Sequence, residues 1–370
     1  MKIAIVHEWL TNMAGSERVV VNFKEIFPDA PIYTTVYNEK NLDKELQNIE
    51  VHTSFLQKIK KARTNHQKYF PLMPMAFESF DLNEYDVVLS SSSSCSKGVV
   101  TNPNTVHICY CHSPMRYGWE FYYEYIKDFK GIKKRLIKYF MNYMRVWDVN
   151  SSKRVDYFIA NSENVARRIW KHYKRESVVI HPPVRCKLFN ISNIDEDYFL
   201  VVSRLVEYKR IDLAVEVFNE LGLPLVIIGD GGEREKLQAM AKDNIKFLGR
   251  QPDEVIKEYY SKCRAFIFPG EEDFGITPLE AQASGRPVIA FGKGGALETV
   301  IDRVTGVFFK EQTKESLIEA INIFLKLEFD KNIIRNNAEK FDEEIFKKKI
   351  YEFIVEKQNE FVNLKKWSVK

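Results

Sequence analysis

Seventeen residues, PGEEDFGITPLEAQASG (269–285), carry the side chains best spaced for chemistry. An apolar run, AFIF (265–268), leads into an acidic loop and a Phe274-Gly275 turn, and Thr277-Pro278-Leu279-Glu280 reads as a helix start. Thr277 can cap, Pro278 suits the first helical position, and Glu280 stands three residues after the cap. A helix N-terminus with free loop amides, at the carboxyl end of a strand, attracts anions. Glu272 beside it is better suited to grip neutral hydroxyls than the anion itself. Phosphate together with hydroxyls describes a nucleotide sugar. Taken alone, Glu280 could equally complete a capping box with Thr277.

Other loops add to this. SRLVEYK (203–209) follows an apolar strand directly, so Arg204 and Lys209 can converge on a diphosphate, although an isolated pair of this kind is usually solvated. CHSPMRYGWE (111–120) follows the strand VHICYC and puts His112 at a strand end. Arg116, four residues on, could meet an anionic acceptor or donor phosphate, or form a structural salt bridge. Gly15 lies in the loop between the first strand and a helix from Ser16, where helix amides can approach phosphate, and Gly231 stands in a similar loop, GDGGE (229–233). GKGGAL (292–297) lacks the last glycine of a dinucleotide fingerprint, so NAD is poorly supported. The D-x-D string DED (195–197) precedes a strand and reads as a solvated turn rather than a metal clamp. Neither a cofactor nor a metal is expected.

These loops need strands and helices to position them. KIAIV (2–6), DVVLSSSS (86–93), VHICYC (106–111) and DYFIANS (156–162) are strand-like in the first half, with a long basic helix at 130–150. VVIHPPV (178–184) breaks the pattern, which restarts with YFLVVSRL, PLVIIGDG, IKFLG, AFIFPG and RPVIAFG between helices. Strands apolar throughout, alternating with helices, mark parallel sheets covered on both faces. The expectation is an α/β fold of two Rossmann-like, doubly wound domains facing a cleft. The first spans 1–182 and the second 183–345, and a last segment, 346–370, belongs to one amphipathic helix over 341–362.

At 370 residues, 45% apolar and 29% charged, the chain has ample material for two cores. It contains no 18-residue apolar run, and its N-terminus reads as a short strand rather than a signal peptide. Five scattered cysteines spell neither zinc nor a disulfide frame and suit a reducing cytoplasm. Net charge is only +4 but uneven: residues 51–70 hold five cations and no acids, and 127–154 hold nine against Asp128 and Asp148. Both stretches mix cations with Phe, Tyr, Met and Trp, which suits an anionic bilayer surface or, equally, a solvated helix face. Nucleic acid is not expected, because no reading motif accompanies the charge.

Glu272 and Glu280, with the FG turn and Gly285-Arg286-Pro287, resemble the E-x7-E signature of retaining GT-B enzymes of glycosyltransferase family 4. RLVEYKRID and CHSPMRY resemble a subgroup that includes bacterial mannosyltransferases of O-antigen and exopolysaccharide assembly. Two departures stand out: Arg210 replaces a common Gly after the Lys, and Ala14-Gly15 replaces a pair of glycines. The resemblance is strong over 198–300 and moderate over 1–20 and 105–120.

It implies a metal-independent, retaining hexosyltransferase that moves a sugar, mannose or a related hexose, from a GDP-linked donor to a lipid-linked oligosaccharide. The setting would be bacterial surface polysaccharide synthesis, with the protein peripheral on the cytoplasmic face of the cell membrane. The implied roles are Glu272 on sugar hydroxyls, Glu280 on the ribose, Arg204 and Lys209 on the diphosphate, and His112 on the sugar from across the cleft. Gly15, Gly231, Phe274, Gly275 and Ile276 would line the donor. The chain's end would cross back to the first domain. A nucleotide-sugar epimerase, a sugar phosphorylase or a non-catalytic membrane-surface assembly protein on the same fold are the alternatives.

Overall fold

Short apolar strands alternate with helices throughout the computed structural model, which describes residues 1–368. Residues 1–181, together with the chain from Phe346 onward, form one compact unit, and Pro182–Ile345 form another. The first unit holds β1 (Ile3–His7), β2 (Ile32–Thr34), β3 (Val51–Thr53), β4 (Val87–Ser92), β5 (Val106–Cys111), β6 (Tyr157–Ala160) and β7 (Ser177–Val179). They pair parallel in the order β3-β2-β1-β4-β5-β6-β7. The second holds β8 (Phe199–Val202), β9 (Leu225–Ile228), β10 (Ile245–Gly249), β11 (Ala265–Phe268), β12 (Val288–Phe291) and β13 (Gly306–Phe309). Its order is β10-β9-β8-β11-β12-β13, again parallel throughout.

Central strands such as β1, β4, β5 and β11 are buried along their whole length, whereas edge strands β3 and β7 are half-exposed. That is the burial of a sheet covered by helices on both faces, and it explains why these strands are continuous apolar runs rather than alternating ones. Each sheet reverses its strand order once, between β1 and β4 and between β8 and β11. A doubly wound sheet opens a crevice at the carboxyl ends of the strands flanking such a reversal.

The helix Glu343–Ser368 begins in the second unit, and from Phe346 it belongs to the first. There Phe346, Ile350, Phe353 and Ile354 join the core around Phe23 and Tyr110. Each such burial stabilises by about 1.5–3 kcal/mol relative to exposure, enough to anchor the helix.

Two stretches differ from expectation. The basic run at 56–77 is a chain of tight 3-10 turns (Phe55–Lys58, Lys60–Arg63, His66–Leu72) and a short helix, Met73–Glu78. Pro71 and Pro74 lack the N–H that a continuous helix needs. The D-x-D string is more than a solvated turn: Asp195 pairs with Arg286 and Lys331, Glu196 with Lys262 and Asp197 with Arg264. All five cysteines are buried free thiols.

Candidate functional site

In the second unit the loops at the carboxyl ends of β8, β9, β11 and β12 lie backbone against backbone. A Cβ on Gly231 would come within 2.3 Å of the Leu205 carbonyl oxygen, and one on Gly295 within 2.1 Å of Phe274 Cα. Only glycine allows such approach, so the loop after β9 seats on residues 203–209 and the loop after β12 on the acidic loop. The Gly295 N–H also donates to the Glu272 carbonyl, at 2.9 Å. GKGGAL, dismissed as a dinucleotide fingerprint, is thus the clamp on the loop that carries Glu272.

Lys209 and Glu272 form an ion pair across the β8/β11 reversal, with side chains 16% and 17% exposed. Arg204 donates to the Tyr208 hydroxyl at 3.0 Å, and the Lys209 ammonium lies 5.4 Å from the centre of the same ring. The structure therefore gathers Arg204, Lys209 and Glu272 at one strand-end crevice, two cations and a carboxylate in reach of common ligand atoms.

The helix behind them starts earlier than the sequence suggested. Gly275, at φ 96°, is the N-cap of Ile276–Ala283, and Thr277 makes no capping bond. The left-handed glycine turns the chain into the helix at Ile276, so Pro278 falls third, where a missing N–H is still harmless. Glu280 is consequently not a capping-box partner. Its carboxylate accepts from the Tyr260 hydroxyl at 3.1 Å, inside the helix's first turns. Burial, and then the neighbouring Glu280 charge, push the Tyr260 pKa well up, so it is a neutral donor. Phe274 is buried against Phe341, Ile276 is half-buried at the helix start, and Gly231 is exposed.

In the first unit His112 follows β5 and is half-buried. Its Nε2 lies 2.8 Å from Ser91 Oγ, which is 3.1 Å from Nδ1 of His7. His7 Nε2 lies 3.4 Å from the Glu17 carboxylate. Gly15 is the exposed first residue of the helix Gly15–Ile26, next to this group. Arg116 stacks its guanidinium 4.3 Å from the Phe121 ring centre.

Sequence reasoning missed the polar residues under His112. Glu8, 2% exposed, accepts backbone N–H groups from Ser93, Ser94, Cys95 and Ser96 at 2.7–3.2 Å. It also accepts the hydroxyls of Ser92 and Ser96. The serine tract is therefore a nest of donors already filled by the protein's own carboxylate. A signal existed in the sequence: the polar pair His7-Glu8 ends an apolar strand, and serines end another.

Two family models divide the chain between them. That described as "Glycosyltransferase Family 4" matches residues 13–188, and "Glycosyl transferases group 1" matches residues 185–341. The chain has the GT-B fold, and each of its halves matches a glycosyltransferase family model. An O-antigen chain mannosyltransferase C from Escherichia coli is 27% identical over 52% of this chain and 57% of its own length. An alpha-1,3/1,6-mannosyltransferase ALG2 from Dictyostelium discoideum is 23% identical over 85% of the chain and 87% of its own. The chain spans about half the length of the first curated relatives it matches. The solved Anabaena Alr3699/HepE, in complex with UDP, superimposes with a TM-score of 0.72 at 17% identity, over 96% of this chain and 100% of that one. At that identity the likeness speaks for the fold alone.

Proposed function

We propose that this protein is a glycosyltransferase that moves a hexose, mannose in the first instance, from a GDP-linked donor to a lipid-linked glycan in bacterial surface polysaccharide synthesis, with retention. The observation that carries the reading is the cluster of Arg204, Lys209 and Glu272 at the β8/β11 reversal, with Glu280 behind it. The mannosyltransferase names of the two relatives favour mannose over other hexoses.

In this mechanism Arg204 and Lys209 hold the donor diphosphate, and their charge stabilises the negative charge that grows on it as the sugar leaves. Glu272 accepts hydrogen bonds from sugar hydroxyls and Glu280 from the ribose. His112 meets the transferred sugar, and Gly15 lets helix amides approach the donor phosphate. Arg116 serves the acceptor side. The anomeric carbon's bond to the diphosphate oxygen breaks as its bond to the acceptor oxygen forms on the same face. The acceptor's proton passes to a phosphate oxygen of the leaving diphosphate, so no side chain is needed as general base.

The reaction is proposed to be metal-independent, because side-chain cations take the place of a metal and the D-x-D carboxylates are committed to Arg286, Lys331 and Arg264. Incubation with a panel of nucleotide sugars and a lipid-linked glycan should give transfer from one donor at an undiminished rate in excess EDTA. Loss of transfer in chelator with rescue by manganese would overturn the metal-free mechanism. Donor turnover that proceeds without any acceptor would favour an epimerase.

The reading also places the protein on the anionic cytoplasmic face of the cell membrane. Among the described residues no helix is long and apolar enough to cross a bilayer, so attachment would be peripheral. The helix Gly131–Ser152 leaves Ile132, Leu136, Tyr139, Tyr143 and Val146 each more than half exposed, in a single stripe of alternating three- and four-residue steps. Lys133, Lys134, Arg135 and Lys138 flank that stripe, and a second copy of so basic a helix would be repelled. Phe70, in the 3-10 turns, packs 5.7 Å from Phe140, so the two basic segments are neighbours.

Each cation near an anionic surface contributes about 1 kcal/mol, screened over about 10 Å at 0.1 M salt and 3 Å at 1 M. Co-sedimentation with liposomes should therefore require anionic lipid, fall with salt, and weaken when Lys58, Lys60, Lys61, Lys133, Lys134 and Arg135 are neutralised. Equal binding to neutral vesicles, or none to either, would reduce the face to solvated helix and turns.

A further inference from the structure

His7, Ser91 and His112 stand at the carboxyl ends of β1, β4 and β5, three neighbouring strands, with His7 and Ser91 directly opposed in register. Through Ser91 the two imidazoles are linked, and beyond His7 lies Glu17. His7, Ser91 and Glu17 are at most 3% exposed, so water cannot substitute for any of them, and only His112 reaches partly to the surface. We propose that Glu17, His7 and Ser91 are positioning residues that hold neutral His112 as its Nε2–H tautomer and leave Nδ1 as an acceptor for a hydroxyl of the transferred sugar. The inference rests on the reading that His112 meets that sugar.

The direction of the relay follows from donor and acceptor counts. Burial, with His7 nearby, lowers the His112 pKa to about 3, so the ring is neutral, with one nitrogen donating and the other accepting. For Glu17 burial acts to raise the pKa. The hydrogen bond to His7, the helix backbone and the Ser16 hydroxyl (3.0 Å) outweigh it and hold the carboxyl below its usual range. Glu17 is third in the helix Gly15–Ile26, close to the positive end of its dipole. An ionised carboxylate only accepts, so Nε2 of His7 must donate to it. With His7 neutral, its Nδ1 then accepts the Ser91 hydroxyl hydrogen, and the Ser91 oxygen takes the Nε2–H of His112.

A protonated His7 would reverse the last two steps and put the hydrogen on Nδ1 of His112, making it a donor to substrate. The contact length decides against this: 3.4 Å between His7 and Glu17 is well beyond the roughly 2.7–2.9 Å of a charge-assisted bond. The relay therefore determines whether the sugar hydroxyl meets a lone pair or a hydrogen. Its three members come from positions 7, 17 and 91, so no local motif announces it.

The tautomer can be read on the full-length protein, labelled with 15N-histidine, by two-bond proton–nitrogen correlation near pH 7.5, with His112→Gln to assign the signal. The expected result is Nε2–H with bare Nδ1 in the wild-type protein. Ser91→Ala should give a mixture of tautomers and lower kcat/KM by about tenfold, the scale of one hydrogen bond. Ser91→Thr, which keeps the hydroxyl, should preserve both the tautomer and the rate. Wild-type His112 found as Nδ1–H, or a tautomer indifferent to Ser91→Ala, would overturn the proposal. The spectrum needs no sugar, so a failed relay changes it, whereas a failed transferase reading leaves it as expected while no donor turns over.

Discussion

Lys209→Ala and Glu272→Gln should each lower turnover more than tenfold while Tm falls by no more than about 4 °C. The stability limit follows from where the residues sit. They lie in strand-end loops, and their ion pair is part-exposed, a kind that contributes about 1 kcal/mol or less. For a unit the size of Pro182–Ile345 that is a shift of roughly 2–4 °C. The kinetic loss is larger because each residue makes charge-assisted bonds to the donor, worth about 1.5–3 kcal/mol, or roughly one to two orders of magnitude in rate.

The pairing of Lys209 with Glu272 makes the prediction sharper. Without donor the two neutralise each other, and donor entry re-partners them, the ammonium with phosphate and the carboxylate with hydroxyls. Lys209→Ala therefore leaves Glu272 as an unopposed negative charge beside the diphosphate, and it should cost more than Glu272→Gln. The double variant should lose less than the product of the two single losses, because the residual carboxylate is gone. Steady-state rates with thermal unfolding of the four proteins provide the check. A Tm loss of many degrees with turnover retained would return both residues to a structural role.

The strands and the major helices were legible because parallel strands buried on both faces are written as unbroken apolar runs, and the loops after them could be located by counting. β11 with its acidic loop and β8 with Arg204 and Lys209 were found this way. What was not legible depends on long-range geometry. Nothing local relates Ser91 to His7 or the serine tract to Glu8, since those contacts form only when β1 and β4 pair. Thr277 was misread because it satisfies the composition of a cap, while the conformation of Gly275, which begins the helix sooner, is set by packing of the loop above it. The D-x-D string was misread as free because its cations arrive from 262–264, 286 and 331.

The largest stability effect should come from Asp148, on the inner side of the helix whose outer side carries the apolar stripe. Asp148 is fully buried and Lys97 is 1% exposed, and the two form an ion pair. Burial alone would pull the Lys97 pKa down, but Asp148 beside it holds it above the ordinary value, so the cation persists. The other Asp148 oxygen accepts from Trp119 Nε1 at 2.8 Å and from the Tyr173 hydroxyl at 2.9 Å. Lys97 also donates to the Ser94 carbonyl at 2.7 Å, which ties the helix to the serine loop that encloses Glu8. Asp148→Ala removes the acceptor of three donors and strands a buried cation. Breaking one partner of such a pair costs about 3–5 kcal/mol, which corresponds to a Tm loss on the order of 10 °C. Asp148→Asn keeps the shape and one acceptor oxygen and should lose less, whereas removing both charges in Lys97→Met/Asp148→Leu should recover part of the loss. Urea and thermal unfolding of the full chain would give these differences. Unchanged stability in Asp148→Ala would mean that the cation finds water or another carboxylate, and that the helix is held by the apolar contacts of its own Met141 and Met144 alone.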